Sequence, residues 1–345
     1  MKRAFGRLGL IVCVLILICM LLGVLASSAM AAVDAVRPLP EEGPTEVMVS
    51  IFVLDIDEVN TASQSFDANV YFKASWHDPR LAHDGTSEIT RSLHAIWNPR
   101  IQFLNQQKVW TTFPEVAEIS PEGDVVYQQR VWGAFSQPLE LRDFPFDNQV
   151  FRIQLGSAGY TLQEVRLIPD INGRNGISKK FSLADWDIVT WNVEAVEFAP
   201  NDKDDSFAAF QLEIEATRRY VYFIIKVIIP LFLIVMMSWV VFWIDPKESG
   251  TQISVAITTM LTLIAYRFAV GSDLPKVSYL TRLDYFILGA TLLVFTSLIE
   301  VVVTSTYAKI GNIERARAID HWARVLFPLI FILITLETLV FRYVL

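Results

Sequence analysis

The sequence predicts an all-β domain followed by a four-helix membrane domain. Three observations carry that prediction. More than half of the 345 residues (53%) are hydrophobic, yet they crowd into the N-terminus and the last third of the chain. Between these lie short runs in which apolar and polar residues alternate. After Arg218 the alternation stops, and four apolar stretches follow, each close to the roughly 20 residues a helix needs to cross a bilayer.

In chain order, "MKRAFGRLGLIVCVLILICMLLGVLASSAMAA" has a basic start, an apolar run and an Ala-x-Ala ending at Ala29–Met30–Ala31. It reads as a secretory signal peptide over residues 1–31, an uncleaved anchor helix being the alternative. Both cysteines, Cys13 and Cys19, lie within it, so the remainder has neither disulfide nor thiol chemistry. The net charge of −8 and the lack of a basic tract exclude nucleic acid as a partner.

Residues 32–217 form the predicted sandwich, immunoglobulin-like in architecture. The segments "VMVSIFVLDI", "ANVYFKASWHD", "DVVYQQRVWGAF", "QVFRIQLG", "DWDIVTWNVEAVEF" and "FAAFQLEIEATRR" read as strands, separated by turns at Pro121, Gly123, Asn172 and Gly173 and by "APNDKDD". Residues 218–345 form the helical domain. Its first and fourth helices contain Pro230 and Pro328, which membrane helices tolerate when neighbours compensate. With the sandwich exported, Lys247, Lys309, Arg315, Arg317 and Arg324 fall on the cytoplasmic side against Lys276 and Arg282 outside, in keeping with the positive-inside tendency.

The second apolar stretch, about 251–271, carries hydroxyls on part of one face. Alternating steps of four and three give Ser254, Thr258, Leu261, Ala265, Phe268 and Ser272. Two readings fit. Several copies around an axis would line a water-filled path, with hydroxyls replacing ion hydration and Leu261 and Phe268 forming a constriction able to dewet. Alternatively, small and hydroxylated residues permit close helix packing. Arg267, beside the stripe, snorkels or pairs with a neighbouring subunit, while Glu300 and Glu337 lie deeper with no partner assignable from sequence. An enzyme is not supported. His77, His83, His94 and His321 have no metal-ligand spacing, no phosphate-binding glycine loop appears, and neither metal nor cofactor is expected.

Several motifs then recur in a fixed order: "YFKASWHDPRLA" (71–82), "AIWNP" (95–99), "LRDFPFDNQVFRIQL" (141–155), Arg218 with Pro230, and "DLPKVSYLTRLD" (273–284). From Val47 to the C-terminus the chain resembles the bacterial pentameric ligand-gated ion channels of the Cys-loop receptor superfamily. Gln137 and Phe151 stand where animal members close the loop with a disulfide, and "KIGNIERARAID" matches the short linker of bacterial members.

The resemblance implies a homopentamer in the bacterial inner membrane, multi-pass, with the sandwich in the periplasm or outside. It selects pore lining for the stripe of the second helix. It places gating contacts at Asp55, Asp57, Phe144, Pro145, Phe146, Asp147, Arg218, Leu274, Pro275 and Lys276, with an ion pair from Arg218 to Asp147 or one through Asp57. It places an agonist site between subunits, lined by Phe52, Tyr71, Trp97, Pro99, Tyr160, Phe198 and Phe207. Gly156, Ala158 and Gln102 replace the groups that bind amines in some members, so a weakly polar or anionic small molecule, or protons, stand beside an amine as agonists. At the pore mouth Gly250 and Thr251 replace a glutamate ring, and Glu248 is the nearest acid. Monovalent cations are the expected permeating ions; an anion-selective member of the family and a non-conducting membrane-anchored sensor are the alternatives.

Overall fold

The computed structural model describes residues 36–199, 206–271 and 274–340. The expected signal peptide with its two cysteines, and Ser272 of the stripe, lie outside the described residues.

Among the described residues, twelve strands form two sheets. The larger runs β10 (Gly176–Ile177), β1 (Thr45–Asn60), β2 (Ser65–His77), β7 (Asp124–Ser136), β6 (Val116–Ile119) and β3 (Ile89–Ser92), with β5 (Gln106–Thr111) on β7 and β9 (Val165–Pro169) on β1. The smaller runs β11 (Trp186–Phe198), β12 (Phe207–Arg218), β8 (Asn148–Ser157) and β4 (Ile101–Phe103). Alternation explains the sandwich: Ala68, Val70, Phe72 and Ala74 of β2 are buried, as are Phe151, Ile153 and Leu155 of β8, while the residues between them are mostly less so. Phe66 meets Phe151 across the sheets with ring centroids 5.1 Å apart, and Trp186 closes the membrane end against Phe151 at 5.3 Å.

Among the described residues, four helices follow that are each long and apolar enough to cross a membrane: α1 (Val221–Trp243), α2 (Pro246–Val270), α3 (Arg282–Lys309) and α4 (Ile313–Val340). Pro230 has no N–H to give its preceding turn, and Ile224–Ile228 just before it widens into a π-helical turn. Pro328 sits inside a continuous helix. A capping box opens α3, with the Thr281 hydroxyl accepting from the Asp284 N–H while the Asp284 carboxylate accepts from the Thr281 N–H at 2.9 Å.

Each helix turns one stripe inward. On α1 this is Phe223, Val227, Leu231 and Val235; on α4 it is Ala316, Asp320, Ala323, Phe327 and Phe331. The outward faces of α1 and α4 carry Ile225, Ile229, Leu233, Leu329 and Leu333, as hydrocarbon contact requires.

Candidate functional site: the sandwich–membrane junction and the exposed face of the second helix

The junction is built on Asp147, which lies between the Phe144–Pro145–Phe146 turn and the start of β8. Arg218, the last residue of β12, forks onto it: Nε donates to Oδ1 at 2.7 Å and Nη2 to Oδ2 at 3.1 Å. The β8–β12 register pairs Asn148 with Thr217, so these neighbours face each other by sheet geometry alone. The pair is deeply buried, at 7% and 1% side-chain exposure. Gln149 Nε2 donates to the second carboxylate oxygen at 2.8 Å, and the guanidinium lies 4.2 Å over the Trp186 ring and 5.0 Å over Phe144. Aromatic faces and a bidentate acid thus satisfy a cation removed from water.

The missing disulfide has a substitute. Gln137 accepts from the Arg152 N–H through Oε1 at 2.7 Å and donates through Nε2 to the Val150 carbonyl. Its amide therefore clamps the backbone on both sides of Phe151, closing the loop with hydrogen bonds.

Phe144 packs edge-on against Phe223 of α1 at 4.7 Å, and Phe146 lies 5.1 Å from Tyr220. The loop before α3 holds the other side. Tyr279 Oη accepts from the Leu141 N–H at 2.9 Å, and the Arg282 N–H donates to the Arg142 carbonyl at 2.9 Å. The Arg282 guanidinium lies 5.4 Å from the Phe146 ring centre and 3.6 Å from Asp143. Sequence reasoning named Leu274, Pro275 and Lys276 for this contact. In the folded chain Leu274 and Pro275 are half-buried and Lys276 is exposed, while Tyr279 and Arg282 reach the Phe-Pro-Phe-Asp turn. Both stood in the quoted segment, but a tyrosine and an arginine at a helix start carry no local sign of which loop they touch.

The two remaining acids sit where β1 breaks register, between Val53 and Asp55 and between Ile56 and Glu58. Such bulges re-aim side chains. Asp55 accepts from the Ser182 N–H and hydroxyl, both at 2.6 Å. Burial works against its charge, but the Ser182 bonds outweigh it and hold the carboxyl below the usual range. Asp57 accepts from Trp132 Nε1 at 2.7 Å and leaves Arg218 to Asp147. Opposite them on β2, burial together with the charges of Glu58 and Asp57 pushes the Asp67 carboxyl up.

The aromatic candidates fall into three groups. Trp97, Pro99 and Tyr160 line one cavity of about 410 Å³ together with Trp76 and Arg100. Trp97 itself is 2% exposed and packs 5.7 Å from Tyr160. Phe52 and Tyr71 are cross-strand partners in a second cavity of about 850 Å³, which also carries Lys73, Arg130 and Arg174 beside Glu88 and Glu118. Burial pushes the Tyr71 hydroxyl up, and it donates to Gln128 Oε1 at 2.6 Å. Phe198 and Phe207 pair across β11 and β12 at 5.2 Å, flanking residues 200–205. The cavity with Trp97 and the cavity with Phe52 and Tyr71 share no lining residue.

On α2, Gln252, Ala256, Thr259, Leu263 and Val270 are buried against the other helices. The opposite face is exposed and carries Ser254, Thr258, Leu261, Ala265 and Phe268, with Thr262 beside them. The Thr258 hydroxyl donates to the Ser254 carbonyl at 2.8 Å and the Thr262 hydroxyl to the Thr258 carbonyl at 2.9 Å. Glu248 is exposed at the start of this helix, on the side remote from the sandwich. Arg267 is exposed near the other end and lines a cavity of about 200 Å³ with Leu280 and Asp284. Glu337 is exposed, whereas Glu300 turns inward towards Asp320, a pairing across two helices that no local pattern reveals.

A β-sandwich seated by its loops on four membrane-length helices is the build of a multi-pass membrane protein. Residues 33–220 match the neurotransmitter-gated ion-channel ligand-binding domain, and residues 227–309 match the neurotransmitter-gated ion-channel transmembrane region. The chain belongs to that family of ligand-gated ion channels, whose members are channels and not enzymes. It is 29% identical over 308 residues to a proton-gated ion channel of Gloeobacter violaceus, an alignment covering 87% of this chain and 84% of that protein.

Proposed function

We propose that five copies of this chain surround an axis and that the exposed face of α2 lines a cation-conducting pore. The observation that carries this reading is the outward stripe itself. Leu261 is 61% and Phe268 83% exposed, on the face opposite the one buried by the other three helices. Four-spaced hydroxyls at Ser254, Thr258 and Thr262 distinguish this face from the apolar outer faces of α1 and α4. Because Thr258 and Thr262 spend their protons on helix carbonyls, only oxygen lone pairs remain to point outward, an arrangement that suits a cation. Rings of Leu261 and Phe268 would close the path by dewetting, and a ring of Glu248 at the mouth would concentrate cations.

The grouping of the aromatics supports an agonist site at a subunit boundary. The cavity with Trp97, Pro99 and Tyr160 would belong to one subunit, and the cavity with Phe52 and Tyr71 to its neighbour. Lys73, Arg130 and Arg174 in the second cavity favour an anionic or weakly polar ligand over an amine. The relative's name makes protons a second candidate signal. Binding would reach the pore through the Asp147–Arg218 junction and its contacts with Phe223, Tyr279 and Arg282. Residues 32–217 would lie outside the bacterial inner membrane, with residues 1–31 removed as a signal peptide.

Current across bilayers containing the full chain tests this, scanning pH and a panel of amines and aromatic carboxylates. Gated current that opens more readily in Leu261→Ala is expected. An assembled pentamer that stays silent under every condition would instead favour a non-conducting sensor.

A further inference from the structure

At the end of the helical bundle remote from the sandwich, Glu300 of α3 and Asp320 of α4 turn towards each other. Asp320 is 1% exposed, and both carboxylate oxygens of each residue are shielded from solvent without a hydrogen-bond donor. The two carboxyl groups are neighbours across the seam between α3 and α4. Two carboxylates are acceptors only, so they bond to each other solely when a proton lies between them.

Arg324 is close enough to attract the Asp320 charge, yet it makes no hydrogen bond to either carboxylate oxygen. Arg324, one turn along α4, donates from Nε to the Phe242 carbonyl at 2.9 Å, and its guanidinium lies 4.6 Å over Trp243. Asp245, at the end of α1, adds a negative charge and is itself paired with Arg317 at 2.9 Å. From α2 Gln252 lies against the Asp320 carboxyl. It is fully buried, and its Nε2 donates to the Ile244 carbonyl at 3.0 Å and more weakly to that of Val241. His321 and Lys309 are exposed. Two unpaired negative charges at this depth would face a large desolvation cost and mutual repulsion.

We propose that Glu300 and Asp320 form an intramembrane proton-binding site. One carboxyl carries the proton and the other accepts it, and the shared proton fastens α4 to α3 beside Gln252 of α2. This assignment does not depend on which signal opens the channel.

The test is infrared difference spectroscopy on the full-length protein in phosphatidylcholine vesicles at neutral pH, without divalent cations. A carboxylic-acid C=O band that moves on exchange into D2O is expected in the wild type. Carbon-13 labelling of glutamate or aspartate side chains assigns it without mutation. The band should be lost in both Glu300→Gln and Asp320→Asn, because an amide N–H then gives the remaining carboxylate its donor. Each amide also preserves the contact, so the assembled species should elute unchanged, and if one variant fails to assemble the other and the labelled wild type still decide. A wild type with no such band, or a band that survives in both variants, overturns the proposal. So does a melting temperature that calcium raises in the wild type but not in Glu300→Gln, which would assign the site to a metal cation.

Discussion

Replacing Asp147 by asparagine probes the junction directly. The substitution keeps the shape and one acceptor oxygen but removes the charge that balances Arg218, which stays 7% exposed between Trp186 and Phe144. Breaking a buried pair by removing one partner costs about 3–5 kcal/mol, because the survivor is left buried and uncompensated. Retention of the Nε bond puts Asp147→Asn near the lower bound, about 3 kcal/mol, and at roughly 1.4 kcal/mol per decade this is about two orders of magnitude in the folded-to-unfolded ratio. Trp186 reports the event, since the guanidinium lies on its face. Tryptophan fluorescence during unfolding in mixed micelles of rising denaturing detergent therefore reads both stability and the local change. Arg218→Met removes the other partner while keeping apolar bulk. The double variant should be less damaged than the sum of the singles by about 2 kcal/mol, within the usual range for residues in contact. Strictly additive losses would refute the pairing as the source of junction stability.

Four further outcomes follow from the structure. Gln137→Ala should cost about 1 kcal/mol, the loss of its hydrogen bonds to the part-buried backbone groups of Val150 and Arg152, and should speed amide exchange of Arg152. Glu248→Gln should shift the reversal potential in asymmetric salt towards weaker cation preference; an unmoved potential would place selectivity elsewhere, with Ser254 next in line. For Asp67, whose folded carboxyl is raised, the linked stability is present at low pH and lost as pH rises through the raised value. Asp67→Asn should flatten that slope. Asp55 has the opposite sign: its stability is present above the ordinary carboxylate value and lost as pH falls through the lowered one, so Ser182→Ala should bring the loss to higher pH.

The long elements were legible because each carries its period in its own residues. Phe66 to Ala74 alternate, and the four apolar stretches have the length of a bilayer. The short strands were not. Ile89–Ser92, Ile101–Phe103, Val116–Ile119 and Gly176–Ile177 hold too few residues to show a period, and each exists because a neighbouring strand offers an edge. The same division runs through the site. The outward stripe of α2 is a property of one helix and could be read from spacing. Glu300 and Asp320, or Tyr279 and Leu141, meet across long stretches of chain, and sequence holds no local record of such pairs. The loop clamp by Gln137 is the middle case: the absence of cysteine was plain, but the hydrogen bonds that replace the bridge required the fold.

The central claim is that the exposed face of α2 lines the conducting path. The only cysteines, Cys13 and Cys19, precede the sandwich, so an introduced thiol in the helical domain can be followed on its own. Cysteine placed in turn at Ser254, Thr258, Leu261, Ala256 and Leu263 would be exposed to a charged, membrane-impermeant thiosulfonate while current is recorded. Irreversible block is expected at Ser254, Thr258 and Leu261, and none at Ala256 and Leu263, which face the other helices. Block at the buried pair with none along the stripe would contradict the account.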